Sequence, residues 1–508
     1  MVRIGFSVIA VLLVAAAALL TWKGNHLWVW AIVGPLVLLG LRDMLQTKHA
    51  ILRNYPIIGH GRYLLESIRP EIMQYFVETD TEGRPINRIH RRLVYQRAKD
   101  VNDTTAFGTQ RDVYETGYEW MDHSMFPAHM DHDHHPRVRI GGPECTQPYN
   151  ASILNISAMS FGSLSDRAVM AMNGGAKAGG FAQNTGEGGI APYHLNPGGD
   201  LIWQIGTGYF GCRTKDGNFD RNLFTEKMAI PQVRMAELKL SQGAKPGHGG
   251  ILPAIKNTEE IAKIRGVEPH TAVHSPPYHK AFDDADGLMN LMAEMRQLAG
   301  GKPVGFKLCL GQREEFVELC RAMIRTGHKP DFITIDGGEG GTGAAPVEFS
   351  DSLGMPLRDG LAFAFNTLRG FNLKRDIKLI AAGKIVSGWH MARAIALGAD
   401  VCYSARAMML AVGCIQALQC NKNTCPTGVA TQNKQLVKGL NVEDKTQRIA
   451  NYHRETVRSF VELLAASGFT APEKIRREHI NRRVSELEHM TYEQLYPLVE
   501  KGALLQEG

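Results

Sequence analysis

The chain has 508 residues and a formal net charge of +6, and charged residues make up 21% of it. This small excess, without a basic stripe that carries interleaved aromatic residues, gives little support to nucleic-acid binding. A hydrophobic content of 44% is ordinary for a globular protein and argues against wholesale disorder. Eight cysteines are too sparse for a secreted disulfide scaffold and favour a reducing compartment with a cysteine-ligated metal.

Two apolar stretches open the chain. Ile4–Leu20 has no charged residue and is followed by Trp22, whereas the shorter Leu27–Leu41 contains Pro35. A membrane span needs about 20 apolar residues, and flanking aromatic and basic residues can make up a shortfall. We therefore predict a transmembrane hairpin over residues 1–46. The alternative is a cleaved signal peptide followed by a surface helix, although no clean small-x-small cleavage site is present.

Basic residues are concentrated after the second stretch, at Arg42, Lys48, Arg53 and Arg62, whereas the connection between the two stretches carries Lys23 alone. The positive-inside rule predicts that the body of the protein faces the cytoplasm from the cytoplasmic membrane. The reducing compartment inferred from the cysteines agrees with this orientation.

Residues 47–150 are polar and mixed, and we interpret them as a lead-in region of helices and loops. A cluster of histidine and aspartate side chains lies within it, from His129 to His135. Such clusters can bind metal ions. The spacing matches no defined metal site, so a solvated loop is the favoured interpretation.

From residue 151 to 435, short β-rich apolar runs alternate with helical stretches, which predicts a parallel sheet of an α/β protein. Eight strands closed into a TIM-type (β/α)8 barrel fit this length. Nine runs are visible, so one of them is wrong or lies outside the barrel. They are Ile153–Ala158, Phe181–Asn184, Leu201–Ile205, Ala236–Leu240, Ala272–His274, Val304–Cys309, Phe332–Ile335, Lys378–Ala382 and Asp400–Ser404.

Helices are predicted between many of these runs and again at the end of the chain. Those in the barrel region are Asp166–Gly179, Ala285–Leu298, Arg313–Thr326 and Trp389–Leu397. Residues 436–508 carry apolar positions at helical spacing and predict a helical C-terminal tail. Its expected helices are Glu443–Ser467, Lys474–Arg483 and Tyr492–Lys501.

Glycine-rich segments follow several of the predicted strands, among them Gly186–Gly189, Gly337–Gly343 and Gly383. The loops at the carboxyl ends of barrel strands build active sites, and glycine there lets backbone N–H groups converge on a phosphate. A Rossmann domain is disfavoured, because no G-x-G-x-x-G segment opens a helix with an acidic residue about 20 positions further on.

Three of the eight cysteines lie close together with the spacing C-x5-C-x4-C. They are Cys414, Cys420 and Cys425, and Pro426 directly follows the last one. Three thiolates without a neighbouring fourth ligand fit a three-iron cluster better than a tetrahedral zinc site. Zinc with a distant fourth ligand stays open on spacing alone.

The cysteine segment, residues 413–432, resembles the iron–sulfur loop of glutamate synthase, which holds a [3Fe-4S] cluster on three cysteines at these separations. The resemblance extends over residues 151–432. Its further motifs are AMSFGSLS at 158–165, NTGEGG at 184–189, QGAKPG at 242–247 and GGTGA at 340–344. It implies reductive amination of 2-oxoglutarate to glutamate with ammonia, by electrons passed through the cluster to FMN in the barrel.

The resemblance also implies roles for single residues. Lys307 would lie beside the flavin, where a cation stabilises the reduced form, unless it is a strand-end lysine that reaches solvent. Glu187 would orient ammonia or shuttle protons, and Gln242, Lys245 and Arg265 would hold the oxo acid. The FMN contacts would be Met159, Ser160, Gln204, Lys307, Gly340, Gly341, Thr342, Gly343, Gly383, Gly388, Ser404, Ala405 and Arg406. The last five of these lie at strand ends, where barrels often place a phosphate site.

Two positions depart from the family pattern, which usually has Glu where this chain has His248 and Gln where it has Ile251. A lost polar contact can change which oxo acid binds. The alternative function is therefore another FMN- and iron–sulfur-dependent amino-acid dehydrogenase or transferase, linked to a membrane electron acceptor. A non-enzymatic membrane scaffold is a third possibility, which the intact cysteine triplet and glycine segments oppose.

The family's amino-terminal glutaminase domain, with its catalytic cysteine, is not expected in this polypeptide, since the first cysteine is Cys145. Ammonia is then expected from solution or from a partner. The electron donor is expected to be another protein, such as a ferredoxin or a reductase subunit, because no NAD-binding fingerprint is visible.

Overall fold

The computed structural model describes residues 2–24, 26–131 and 134–505, and the chain divides into two compact units, residues 1–88 and 89–508. The first unit is helical. A 3-10 turn at Leu27–Val29 precedes its second helix, and a π-helical turn at Met73–Val77 follows its fourth. The helices are α1 (Val2–Gly24), α2 (Trp30–Leu45), α3 (Ala50–Asn54) and α4 (Gly59–Ile72).

Two apolar helices at the amino terminus are confirmed. In the described part of the chain, the segments Val2–Gly24 and Leu27–Leu45 are long and apolar enough to cross a membrane, with mean hydropathies of 2.6 and 1.5. Most of their side chains are exposed, as expected of helices that are not part of a soluble core. A signal sequence would meet the same criteria, so the membrane placement stays a prediction.

The second unit begins with α5 (Arg88–Lys99), β1 (Glu119–Met121), β2 (Arg137–Ile140) and β3 (Tyr149–Ser152). The antiparallel hairpin β2–β3 packs Ile140 and Tyr149 against apolar residues that begin the barrel strands, and so closes the amino-terminal end of the barrel. Of the histidine cluster, His132 and Asp133 lie outside the described residues.

A closed parallel barrel of eight strands forms the core, and the predicted TIM-type fold is confirmed. The strands of this region are β4 (Leu154–Ile156), β5 (Ala182–Asn184), β6 (Asp200–Ile205), β7 (Val233–Lys239), β8 (Ile251–Leu252), β9 (Val273–His274), β10 (Val304–Leu308), β11 (Phe332–Asp336), β12 (Lys378–Ala382) and β13 (Val401–Ser404). All except β8 and β9 belong to the barrel. The surplus ninth run, Ala272–His274, is β9, which pairs antiparallel with β8 outside the barrel.

The predicted helices Asp166–Gly179, Ala285–Leu298 and Arg313–Thr326 are observed with those bounds. Local capping explains the agreement, since the Ser165 and Asp284 side chains accept hydrogen bonds from the first turns of two of them. The helices are α6 (Asp166–Gly179), α7 (Pro192–Leu195), α8 (Arg221–Met228), α9 (Glu259–Arg265), α10 (Ala285–Leu298), α11 (Arg313–Thr326), α12 (Val347–Ser352), α13 (Leu357–Gly370), α14 (Gly388–Ala396), α15 (Arg406–Val412), α16 (Lys434–Val437), α17 (Val442–Ala466) and α18 (Tyr492–Leu495).

The C-terminal region is helical, but the predicted helix Lys474–Arg483 is wrong. Its second half is β14 (Ile480–Arg483), which pairs antiparallel with β1 and with β15 (His489–Thr491) in a separate sheet. The partner strand β1 lies about 360 positions earlier, as the register pair Glu119–Arg482 shows. A pairing partner so distant leaves no local trace in the sequence.

Glu119 of β1 connects this sheet to the barrel helices. Its carboxylate accepts hydrogen bonds from Arg358 of α13, Arg393 of α14, Arg482 of β14 and Tyr492 of α18. The Tyr492 hydroxyl lies 2.9 Å from it. Burial opposes the charge of Glu119, but the arginines outweigh burial and lower its pKa. The carboxylate is therefore ionised, and it connects β1 to these four elements.

Candidate active site

A half-buried carboxylate with three buried cations around it lies where several barrel strands end. Glu187 is in the loop after β5, and Lys239 is the last residue of β7. The Lys239 Nζ is 3.0 Å from Glu187 Oε2. The carboxylate is closely packed, because a Cβ at Gly206 or Gly250 would come within 2.7 Å of its oxygens. The glycines in these loops therefore make room for an acidic side chain.

Arg265 ends α9 and brings a second cation to this carboxylate. Its Nη2 donates to the Phe161 carbonyl at 3.2 Å, and its guanidinium lies over the Phe210 ring at 5.2 Å. Within the part of the chain that the structure describes, its Nε is buried without a hydrogen-bond partner. A Cβ at Gly188 would come within 3.0 Å of Nη2, which explains one glycine of the NTGEGG segment. The guanidinium thus retains a donor for a ligand.

Lys245 and Gln242 complete the group. The Lys245 Nζ is buried and donates to the Ala344 carbonyl at 2.9 Å. The Gln242 Oε1 accepts a hydrogen bond from Lys239 at 2.6 Å. The structure therefore brings the three predicted substrate residues, Gln242, Lys245 and Arg265, to the same end of the barrel as Glu187.

The electrostatics of this group leave positive charge in excess. Burial opposes ionisation of Glu187, but Lys239, Lys245 and Arg265 outweigh burial and lower the pKa of its carboxyl group. Burial lowers the pKa of Lys245 to about 8 and that of Arg265 to about 10, although Glu187 counteracts both shifts. Three buried cations face one carboxylate, an arrangement that favours a bound anion.

Sequence reasoning missed Lys239 and the residues that hold it. The His279 Nε2 is 2.9 Å from the Lys239 carbonyl, and its Nδ1 is 3.1 Å from the Tyr209 hydroxyl. Burial lowers the pKa of His279 to about 4, so the ring is neutral and serves to position the strand end. A signal for Lys239 was present, since a lysine inside an apolar strand run is rarely buried without a partner.

A small open cavity lies near the same strand ends. Its wall includes Lys307 of β10 and Asp336 of β11, whose Nζ and Oδ2 are 3.1 Å apart. Burial opposes the charge of Lys307, but Asp336 outweighs it and raises the pKa of the lysine. Lys307 is 5% exposed, so it is not a strand-end lysine that reaches solvent.

Three glycines, Gly340, Gly341 and Gly383, contribute to the cavity wall. A Cβ at Gly340 would come within 2.8 Å of Asp336 Oδ1, and one at Gly341 within 2.9 Å of the Arg406 side chain. The Tyr403 hydroxyl, also in the wall, is buried and has no hydrogen-bond partner among the described residues. The glycine backbone and the three cations of the wall, Lys307, Lys384 and Arg406, fit the phosphate of a ligand, and the Tyr403 hydroxyl fits a polar ring.

The predicted cofactor residues divide into two groups. Those that line the cavity are Lys307, Gly340, Gly341, Gly383, Ala405 and Arg406. The remainder, which do not line it, are Met159, Ser160, Gln204, Thr342, Gly343, Gly388 and Ser404.

The second group has other contacts in the structure. The Gln204 amide donates to Glu237 inside the barrel at 2.7 Å, and the Ser404 hydroxyl donates to the Ile385 carbonyl at 2.7 Å. The Ser160 hydroxyl donates to the Ser163 hydroxyl. Thr342 is exposed and bonds within its own loop. The cofactor contacts predicted for these residues stay predictions.

Gly388 is needed for helix packing. A Cβ there would come within 2.6 Å of the backbone nitrogen of Phe460, so this glycine allows α14 to approach α17. Met159 and Ser160 likewise lie against the backbone of another loop, since a Cβ at Gly186 would come within 2.6 Å of the Ser160 nitrogen. Close backbone approach explains these glycines without a ligand.

The three clustered cysteines lie in the loop between α15 and α16. Cys425 Sγ is 3.5 Å from the Thr427 hydroxyl, and Cys414 Sγ accepts a hydrogen bond from the Gln416 N–H at 3.3 Å. Among the described residues, no group of three histidine, cysteine or acidic side chains is arranged to hold a metal ion. The iron–sulfur site at these three cysteines therefore stays a prediction.

The three cysteines differ in how readily they form thiolates, since burial raises the pKa of Cys414 to about 12, and burial and the neighbouring Cys425 raise the pKa of Cys420. Burial opposes ionisation of Cys425, but hydrogen bonds from Thr427 and from nearby backbone N–H groups lower its pKa. Lys256 lies alongside, with its Nζ bonded to the Ala430 carbonyl in this loop and to the Ser163 carbonyl in a barrel loop. The donor set thus fits a thiolate-bound cluster, with a buried cation nearby.

Comparison with known proteins gives a consistent result. Residues 118–470 match the family described as the conserved region in glutamate synthase. The chain is 38% identical over 489 residues to the glutamate synthase large subunit-like protein YerD of Bacillus subtilis, covering 88% of this chain and 93% of that one. It is 34% identical over 322 residues to an archaeal-type glutamate synthase [NADPH] of Thermotoga neapolitana, covering 63% of this chain and 60% of that one. A solved mandelate oxidase variant with an FMN adduct aligns with a TM-score of 0.42 at 13% identity, covering 71% and 86% of the two chains.

Proposed function

Because the chain belongs to the glutamate synthase family, we propose that it is an oxidoreductase that reductively aminates 2-oxoglutarate to glutamate with ammonia. The observation that carries the proposal is the excess of buried positive charge around Glu187. Lys239, Lys245 and Arg265 place three cations against one carboxylate. A substrate with two carboxylates would compensate this excess.

Arg265 and Lys245 are the proposed anchors of the substrate. The planar guanidinium of Arg265 can bind a carboxylate through two parallel hydrogen bonds, and its Nε is a buried donor without a partner in the described structure. Lys245 donates to the Ala344 carbonyl and has three N–H groups in its charged form, which leaves donors for the second carboxylate. Gln242 supports them indirectly, since it holds Lys239 beside Glu187.

The cavity beside Lys307 is the proposed FMN site. When bound, FMN would supply the hydride that reduces the carbon–nitrogen double bond formed from the oxo acid and ammonia. Arg406 and the glycine backbone at Gly340, Gly341 and Gly383 would hold its phosphate. Lys307 places a positive charge in the wall, where it would stabilise negative charge on a reduced ring.

Glu187 is proposed to position ammonia. Its carboxyl group is ionised, because the surrounding cations lower its pKa, and it lies beside the proposed oxo-acid anchors. A carboxylate accepts hydrogen bonds from ammonia and takes up a proton from it as the imine forms. Ammonia is proposed to come from solution or from a partner protein.

The cysteine loop is the proposed entry point for electrons. Cys414, Cys420 and Cys425 would hold an iron–sulfur cluster of the three-iron type, reduced by a ferredoxin or a reductase subunit. Lys256 supports the link, since it ties the carbonyl of Ala430 to a barrel loop. Substitution of Cys420 by serine should reduce the iron content and its visible absorbance, with flavin retained. Unchanged iron in this variant would remove Cys420 from the ligand set.

A membrane location completes the proposal. The two apolar amino-terminal helices, α1 and α2, would form a hairpin in the cytoplasmic membrane, with the catalytic unit in the cytoplasm. This placement is independent of the reaction and is tested separately.

The decisive experiment is a single-turnover assay. Purified enzyme would be reduced without oxygen, mixed with 2-oxoglutarate and ammonium, and followed by flavin absorbance and by amino-acid analysis. Glutamate formation in step with flavin reoxidation supports the proposal. Flavin-loaded, reduced enzyme that forms no glutamate from this mixture contradicts it.

His248 and Ile251 favour a second candidate, an FMN-dependent dehydrogenase or transferase that acts on another amino acid. The His248 ring packs edge-on against Phe349 at 5.3 Å, and its Nδ1 is 2.8 Å from the Gly249 carbonyl. Ile251 lies in β8. Neither side chain offers the carboxylate or amide expected at these positions from the family pattern. Turnover of other oxo acids or amines in the same assay, but not of 2-oxoglutarate with ammonium, would favour this candidate.

A further inference from the structure

Helix α4 and the turn Met73–Val77 present a continuous apolar stripe to the outside of the first unit. Leu64 is 63% exposed and Phe76 is 85% exposed. The stripe recurs every four residues and is widened by side chains next to it, as on one face of an amphipathic helix. Its members, all exposed, are Leu64, Leu65, Ile68, Ile72, Tyr75 and Phe76. A helix of a soluble unit seldom exposes so many large apolar side chains together.

The other face of α4 is polar. Arg62 and Glu66 form an exposed ion pair at 3.5 Å, and Arg69 lies one turn further on. A helix of 14 residues with charges on one side is too short and too polar to cross a bilayer. This combination is typical of a helix that lies in the plane of a membrane surface.

The start of α4 is fastened to the last turn of α2. The buried carboxylate of Asp43 lies 2.9 Å from the His60 ring nitrogen and accepts the Ile57 N–H at 3.0 Å. Helix α3 packs into the same corner, since a Cβ at Gly59 would come within 3.0 Å of the Leu52 side chain. The start of helix α4 therefore lies next to the end of α2. If α2 crosses a bilayer, its end lies at the boundary between lipid and water, and so does the start of α4.

We propose that α4 and the turn Met73–Val77 lie flat in the interface of the phospholipid bilayer that α1 and α2 cross. The stripe from Leu64 to Phe76 enters the acyl-chain boundary, and Arg62 and Arg69 extend to the lipid phosphates. The proposal rests on the membrane placement given above and is independent of the reaction. It assigns the bilayer itself as the partner of this surface.

Fluorescence quenching in the full-length protein tests the proposal. Ile68→Cys places a probe on the stripe, and Glu66→Cys places a matched probe on the exposed polar face of the same helix. Each variant is labelled with a polarity-sensitive fluorophore in liposomes of phosphatidylethanolamine and phosphatidylglycerol, and the signal of the unaltered labelled chain is subtracted. Lipids spin-labelled near the headgroup should quench the Ile68 probe several times more strongly than they quench the Glu66 probe. The Glu66 probe should be quenched mainly by aqueous iodide.

Three results would overturn the proposal. Equal iodide quenching of both probes would show that the apolar stripe is exposed to water. An Ile68 probe shielded from both quenchers would show that the stripe is covered by protein. Release of the chain from membranes by alkaline carbonate would remove the interface that α2 defines. Glutamate formation by the enzyme would stand in all three cases, so this failure is distinct from failure of the proposed reaction. Loss of lipid quenching at Ile68 after Leu64→Glu and Phe76→Glu would add support.

Discussion

Two carboxylates in the second unit each lie near three cations, and they differ in how those cations are bonded. At Glu119, all three arginines hydrogen-bond to the carboxylate directly. At Glu187, Lys239 makes the direct contact, whereas Lys245 and Arg265 bond to backbone carbonyls. The Glu119 centre joins structural elements by direct ion pairs. The Glu187 centre holds two cations that make no direct ion pair with its carboxylate.

The pKa of Arg358 beside Glu119 and the pKa values of Lys245 and Arg265 near Glu187 shift in opposite directions. Burial opposes the charge of Arg358, but Glu119 outweighs it and raises the pKa of the guanidinium. Burial dominates at Lys245 and Arg265, and their pKa values fall to about 8 and about 10. A cation stabilised by its contacts is a part of the fold. A cation that is destabilised by burial is stabilised when an anionic ligand binds.

The largest expected effect is the loss of stability on removal of Glu119. Glu119→Ala leaves three arginines near one another without their shared partner, so the free energy of unfolding should fall by about 3 kcal/mol. Chemical denaturation of the full-length protein measures it. The matched control Glu478→Ala removes an exposed carboxylate paired with His479, and it should change stability by less than about 0.5 kcal/mol. Equal losses in the two variants would contradict a structural role for the Glu119 centre.

Removal of Arg265 should weaken substrate binding and leave stability nearly unchanged. Hydrogen bonds to a charged group contribute about 1.5–3 kcal/mol, so Arg265→Ala should raise the KM for 2-oxoglutarate by roughly 10- to 100-fold. Flavin content and unfolding should change little, because the substitution removes a buried cation that burial disfavours. The control Lys263→Ala alters an exposed residue of the same helix. An unchanged KM in Arg265→Ala would exclude it from the substrate site.

A pH titration separates Lys245 from the arginine. Because burial lowers the pKa of Lys245 to about 8, the lysine is charged below that pH and loses its charge as the pH rises through it. Binding of the dianionic oxo acid should therefore weaken as the pH rises above about 8. The dissociation constant, measured from the flavin spectrum without ammonia, reports this step. Lys245→Met should bind more weakly and lose the dependence, and a dependence that persists in this variant would contradict the assignment.

Sequence patterns predicted the barrel well because its signals are local. Alternating strand and helix runs gave nine candidate strands, eight of which form the barrel, and side-chain caps such as Ser165 and Asp284 define helix starts. The C-terminal sheet was missed, since the pairing of Glu119 with Arg482 joins distant parts of the chain. The sequence predicts a helix over Lys474–Arg483 because apolar positions in this region recur at helical spacing. Strand pairing over such separations depends on tertiary contacts alone.

Residues of the candidate site that lie in recognisable motifs were predicted from the sequence. A site residue that lies inside a barrel strand was missed. Lys245 and Arg265 were proposed from the family resemblance, Lys245 within the QGAKPG segment and Arg265 about 20 residues further on, and both lie near Glu187. Lys239 was missed because it lies inside a predicted strand and in none of the matched motifs. Gly388 was expected at the cofactor, yet it packs against Phe460. A glycine in a sequence indicates close approach but does not identify what approaches.

The smallest expected effect tests how the Arg265 guanidinium is held in place. Phe210 is buried beneath Arg265, with the guanidinium 5.2 Å from the ring centre, and a cation–π contact of this kind contributes about 1 kcal/mol. Phe210→Leu should therefore raise the KM for 2-oxoglutarate by roughly five-fold, less than loss of Arg265 itself. Phe219→Leu is the matched control, because Phe219 packs on Tyr209 and Phe224. Equal KM changes in the two variants would show that the loop, and not the ring under Arg265, determines substrate binding.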